Sequence, residues 1–107
     1  MEIRRIEEFT RGWIIGDFSP SILKTDKFEV GLLQHKAGEI WPKHYHKVGT
    51  EYNVLVSGKM IIQGRELNAG DVFVFNPDDI ADPVFLQDCT VLVVKVPSLP
   101  GDKYEVL

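Results

Sequence analysis

From Phe28 to Val96 the chain is a succession of short runs of Val, Ile, Leu and Phe, each closed by Gly, Asn, Asp or Pro. Runs of this length and composition suit a pleated, half-buried surface, and none carries the sustained 3.6-residue spacing of a capped amphipathic helix. Strands are expected near 28–35, 41–46, 51–56, 59–63, 72–75, 84–86 and 90–96. Turns are expected at Lys36-Ala37-Gly38-Glu39, Ser57-Gly58-Lys59, Gly64-Arg65-Glu66, Asn68-Ala69-Gly70-Asp71 and Asn76-Pro77-Asp78-Asp79. Short strands spaced by turns predict an all-β sandwich or small barrel, with nothing to suggest βαβ units. Only Ile3, Ile6 and Phe9, three apart, allow a short helical turn, or else an edge strand.

The two ends are read differently. Residues 1–27 hold Trp13, Ile14, Ile15 and Phe18, too apolar for a free tail, so they complete the barrel or meet a partner. The prolines of Val96-Pro97-Ser98-Leu99-Pro100-Gly101 lack the amide donor a central strand needs, so 97–107 is expected to be an extended arm on the surface or on a second subunit.

A length of 107 residues allows one domain. The net charge of −4, from 12 Lys and Arg against 16 Asp and Glu, comes with scattered basic residues, which argues against nucleic acid as the partner. Cys89, the single cysteine, can form no intramolecular disulfide and belongs to no Cys-x-x-Cys motif; a small buried thiol is expected. No apolar run approaches a membrane span, and Glu7 and Glu8 follow Met1-Glu2-Ile3-Arg4-Arg5 where a signal peptide would place its apolar stretch. The expected location is the cytoplasm.

The chemistry concentrates in Gly38 to Gly58, which reads Gly-x5-His-x-His-x4-Glu-x6-Gly. On a strand His44 and His46 project from one face and Tyr45 from the other. Glu51 has the wrong parity to join them on a straight strand, so Lys47-Val48-Gly49 must turn the chain and let Glu51 open the facing strand. There Glu51, Asn53 and Leu55 share a face, with Tyr52, Val54 and Val56 on the other. Two imidazoles and one carboxylate suit Fe(II), Mn(II), Ni(II), Co(II) or Zn(II), with open positions for water or a bidentate substrate. If Met60 and Ile62 face inwards beside Asn53, the three line a mostly apolar ligand pocket. His35, at the end of the preceding strand, is read as a surface or hydrogen-bonded residue, and Trp13, Trp41, Tyr45 and Tyr52 as core or dimer contacts.

Gly38 to Gly58 resembles the first conserved motif of the cupin superfamily at every fixed position, and Gly70-Asp71-Val72-Phe73-Val74-Phe75-Asn76-Pro77 resembles the start of its second. The resemblance runs from Phe28 to Val96. It implies a single domain over 1–107, a small β-barrel or jelly roll (double-stranded β-helix), a homodimer, and a metal in the barrel held by His44, His46 and Glu51. It points to an oxygenase or an isomerase acting on a small polar substrate such as a sugar or acid.

One departure matters. Where the second motif ends in a histidine ligand, the register from Gly70 gives Ala81, and no histidine follows. Asp82 supplies the fourth ligand if the Asp78-Asp79 loop is shifted by one residue; otherwise Asp82-Pro83 shapes a turn and water fills the position. The alternative to a metal centre is a polar interior held by hydrogen bonds, in a non-catalytic small-molecule-binding or sensor module. Asp78, Asp79, Asp82 and Asp88 are read as a solvated rim.

Overall fold

Every second residue of the last long strand, from Cys89 to Lys95, is buried, and its neighbours face outwards. That alternation sets the architecture. The computed structural model describes residues 1–107. A single 3-10 turn, Ile6–Glu8, precedes strands β1 (Trp13–Gly16), β2 (Leu23–Lys24), β3 (Glu29–His35), β4 (His44–Tyr45), β5 (Thr50–Ser57), β6 (Lys59–Ile62), β7 (Arg65–Asn68), β8 (Val72–Phe75), β9 (Val84–Phe85), β10 (Cys89–Val96) and β11 (Tyr104–Glu105). They form a six-stranded sheet in the order β2-β1-β3-β10-β5-β8, a three-stranded sheet β7-β6-β9, and the pair β11-β4. The chain is the expected all-β jelly roll, and no helix is long and apolar enough to cross a membrane.

The inner faces meet in one core. Leu55, Phe75, Val91 and Val93 of the large sheet pack with Met60, Ile62 and Phe85 of the small one, together with Ala81 and the free thiol of Cys89. Leu55 has no exposed surface, and burying a side chain of that size stabilises the fold by about 1.5–3 kcal/mol. Trp13 and Trp41 pack on this core. Trp13 lies so close over Gly31 that a Cβ there would sit 2.7 Å from its ring, so this position has room only for glycine.

Register aligns the inner polar residues in a row. Lys95 of β10 stands opposite Glu29 of β3 and Glu51 of β5, and Glu51 opposite Phe75 of β8. The Lys95 ammonium lies 3.0 Å from the Glu29 carboxylate, whose other oxygen accepts from the Ser98 hydroxyl at 2.8 Å. A buried ion pair needs such extra hydrogen bonds to offset its desolvation.

Two expectations change, and the readings left open at the two ends of the chain each take one of their forms. Strand 41–46 shrinks to His44–Tyr45, because Pro42 has no amide to donate and the backbone before it stays irregular. The turn expected at Gly64-Arg65-Glu66 is the two-residue Gln63-Gly64 (φ 50 and 72), so Arg65 and Glu66 are already paired as β7 with Ile62 and Ile61. The C-terminal arm lies on its own chain, where Tyr104 and Glu105 pair with Tyr45 and His44. Residues 13–16 pair with β3 as an integral strand of the large sheet, and the helical option near the N-terminus is realised as the single turn Ile6–Glu8.

Candidate functional site

β4 is short, and backbone pairing on both sides fixes it. β11 flanks one side, and His44 exchanges both backbone hydrogen bonds with Ala81 (3.1 and 2.8 Å) on the other. His44 and His46 therefore turn inwards while Tyr45 stacks on Tyr104. The chain then reverses through Lys47-Val48-Gly49, and Glu51 enters on β5 facing the same cavity.

The reversal is held by a residue from the far end of the chain. The buried Asp102 carboxylate accepts from the backbone N–H groups of Lys47 (2.9 Å), Val48 (3.2 Å) and Gly49 (2.8 Å). Burial pushes the Asp102 pKa up, but these three donors outweigh it and hold the carboxyl below its ordinary range. A side chain at Gly49 would crowd Lys95 at 3.2 Å and Asp102 at 3.4 Å. Asp102 is absent from the sequence-based expectations because residues 97–107 are expected there as an arm on the surface or on a second subunit. The available signal was an acid directly after Pro100-Gly101.

The cavity has a volume of about 930 Å³ and is lined by His44, His46, Glu51, Asn53, Met60 and Ile62 among others. Phe73, Phe85 and Val91 add apolar side chains to its lining. The rings of His44 and His46 stand edge to face with centroids 5.4 Å apart, and His46 Nε2 lies 3.9 Å from the Glu51 carboxylate. Burial, then the Lys95 charge, pushes the His46 pKa down to about 4. Burial also lowers the His44 pKa, against the Pro42 carbonyl, which favours its proton. Both imidazoles are neutral at pH 7. Because a carbonyl only accepts, neutral His44 donates Nδ1–H to Pro42 (3.3 Å) and keeps its lone pair on Nε2. Burial raises the Glu51 pKa, opposed by the Lys95 charge.

The donor types suit a divalent transition metal. Bonds of about 2.0–2.2 Å at a tetrahedral angle place two ligands of one ion about 3.3–3.6 Å apart, and His46 and Glu51, at 3.9 Å, stand slightly beyond that. His44 is engaged with Pro42, and no three His, Cys, Asp or Glu side chains are grouped as the ligands of an ion. The position beside His44 is filled by the buried methyl of Ala81. Asp82 is not among the cavity-lining residues: its carboxylate accepts from the Gln63 N–H at 2.7 Å and ties the β6–β7 turn.

His35 contributes its ring to the cavity wall without joining the trio. It stacks on Phe85 at 4.3 Å and bonds Glu39 at 2.6 Å, and the same carboxylate oxygen accepts from the Trp41 indole. Lys103, on the C-terminal arm, lies 4.5 Å from the centre of the Trp41 ring and lines the cavity with Arg11.

No family model matches the chain, and no curated protein matches it. Among solved structures it is similar to an uncharacterized conserved protein with a double-stranded β-helix domain from Klebsiella pneumoniae. That protein is 19% identical over 100% of this chain and 98% of the other, with a TM-score of 0.70. A cupin protein from Bacteroides fragilis is 30% identical over 72% of this chain and 73% of the other, with a TM-score of 0.57. A sugar phosphate isomerase of a cupin superfamily from Silicibacter pomeroyi is 22% identical over 75% of this chain and 57% of the other, with a TM-score of 0.60.

Proposed function

We propose, from the premise that this chain belongs to the cupin superfamily, that its cavity binds a small polar molecule together with a divalent transition metal held by His44, His46 and Glu51. The observation that carries this reading is that two neutral imidazoles and one carboxylate line one cavity, with His46 Nε2 3.9 Å from the Glu51 carboxylate. Ligand sites commonly have this form, with few polar groups in an apolar enclosure. His46 and Glu51 supply the pair nearest to ligand separation, and His44 Nε2 is the remaining lone pair. Asn53 and the apolar Met60 and Ile62 shape the space the small molecule occupies. A bound Fe, Mn, Ni, Co or Zn ion would supply Lewis acidity to the ligand's polar group. Turnover as an oxygenase or isomerase on a sugar or acid is the enzymatic form of this reading. The similarity to an isomerase supports it by analogy of fold.

A second reading, a non-catalytic binding or sensor module, is favoured by Ala81, whose methyl group stands beside His44 where the family pattern has a fourth donor.

Metal analysis separates the two. Protein purified without a histidine tag and reconstituted with Fe(II), Mn(II), Co(II), Ni(II) or Zn(II) should retain about one equivalent of one of them, and His44→Ala and His46→Ala should each lose it. Negligible metal in the reconstituted wild type, or full retention by both variants, sinks the metal centre. Binding without product in a screen of sugars and organic acids favours the sensor.

A further inference from the structure

The carboxylates that line the cavity are engaged by neighbours in the chain. Glu29 holds Lys95, Glu39 holds His35, and Asp102 holds the turn between β4 and β5. Glu7 lies 3.3 Å from Arg5, and Glu51 faces His46. The cations of the lining divide differently. Lys95 has its counter-charge in Glu29, whereas Arg11 and Lys103 face the same cavity and neither forms an ion pair. Both are exposed to solvent, which puts them at the cavity's entrance.

The backbone fixes where each cation stands. Arg11 heads the tight turn from Thr10 to Trp13, in which the Trp13 N–H donates to the Thr10 carbonyl at 3.0 Å. The Leu32 N–H of β3 donates to the Gly12 carbonyl at 3.0 Å and docks the turn on the sheet. At Arg11 φ is 51, a left-handed conformation in which glycine and asparagine are the favoured residues, and no ion pair offsets the cost of an arginine there. Lys103 lies between the anchored Asp102 and Tyr104, which pairs with Tyr45. Its ammonium stands 4.5 Å from the centre of the Trp41 ring, within cation–π range. Burial, and then the nearby Arg11 charge, holds Lys103 below its ordinary pKa range. The Lys103 charge in turn acts on His44, His46 and Glu51. Two like charges thus stand close to one another and to the trio.

We infer that Arg11 and Lys103 form an anion subsite, so that the ligand of this cavity carries a carboxylate or phosphate group beside the polar group it turns towards His46 and Glu51. This rests on the reading of the cavity as a ligand site, but not on the metal. A guanidinium fork bonds two oxygens of either group at once, and an ammonium adds a point charge with rotatable donors. An oxyanion between them relieves their mutual repulsion. A neutral ligand leaves both cations without a partner.

Titration calorimetry on metal-stripped protein at pH 7 tests the subsite, with phosphate and malonate as probes and sodium chloride matching the ionic strength. Wild type should bind at least one of them with a dissociation constant of about 1 mM or lower, and the tighter of the two tells phosphate from carboxylate. Arg11→Gln and Lys103→Gln should each weaken that binding about tenfold or more, while Lys103→Arg, which keeps the charge, stays within about threefold. Should Arg11→Gln fail to fold by far-ultraviolet dichroism, Arg11→Gly, which suits the turn, takes its place. A wild type that binds neither anion overturns the inference, and unweakened binding in either neutral variant overturns the assignment. Metal retention is measured separately: protein that keeps its metal and binds neither anion loses this subsite alone, and protein that binds the anion without retaining metal loses the metal centre alone.

Discussion

His46 titrates far below the usual imidazole range because the cavity wall strips its solvent and Lys95 adds a like charge. The same shift makes its protonation a matter of stability. The folded pKa of about 4 lies below the ordinary 6.5, so at intermediate pH the unfolded chain binds more protons than the folded one. Stability is therefore full above about pH 6.5 and falls as pH drops towards about 4, by on the order of 3 kcal/mol from this residue. In metal-stripped protein, His46→Gln should flatten the urea-derived stability profile over that window. A profile as steep as wild type's would mean that His46 does not carry the shift.

Between elements, the decisive contact is the one from Asp102 to the turn joining β4 and β5. Its carboxylate satisfies three backbone donors at once, of which the Gly49 N–H is buried, and leaving a buried donor unpaired costs about 1–3 kcal/mol. Asp102→Ala should therefore lower the unfolding free energy by about 2–4 kcal/mol and weaken whatever binds between His46 and Glu51. Equilibrium urea unfolding measures the first effect; a loss under about 1 kcal/mol would show the turn standing without its anchor. The paired faces were legible in the sequence, because period-two alternation put Glu51, Asn53 and Leu55 on one side of β5 and Tyr52, Val54 and Val56 on the other, and β5 is built that way. His44 and His46 were legible for the same reason. Asp102 was not, since 53 residues separate it from Gly49 and no periodicity links an arm to a turn. β7 and β11 escaped for a related reason: short strands with polar residues carry little hydrophobic pattern, and their partners create them.

For the whole molecule, ligand binding and folding are one equilibrium. The core is a single cluster shared by both sheets, so the domain should unfold as a unit and any ligand of the folded site should raise its melting temperature. At 100 times its dissociation constant, the retained metal should add about 2.7 kcal/mol, a rise on the order of 10 °C for a chain of this size. Differential scanning fluorimetry should record that rise in wild type and not in a Glu51→Ala variant. An equal rise in both would put the stabilising ion elsewhere.

The reach of Asp102 back to residues 47–49 also orders events in time. A ribosome delivers His44, His46 and Glu51 first, and the carboxylate that holds the turn between them follows Gly49 only 53 positions later. A nascent chain thus carries both histidines and the carboxylate well before the turn that faces them towards each other has its anchor.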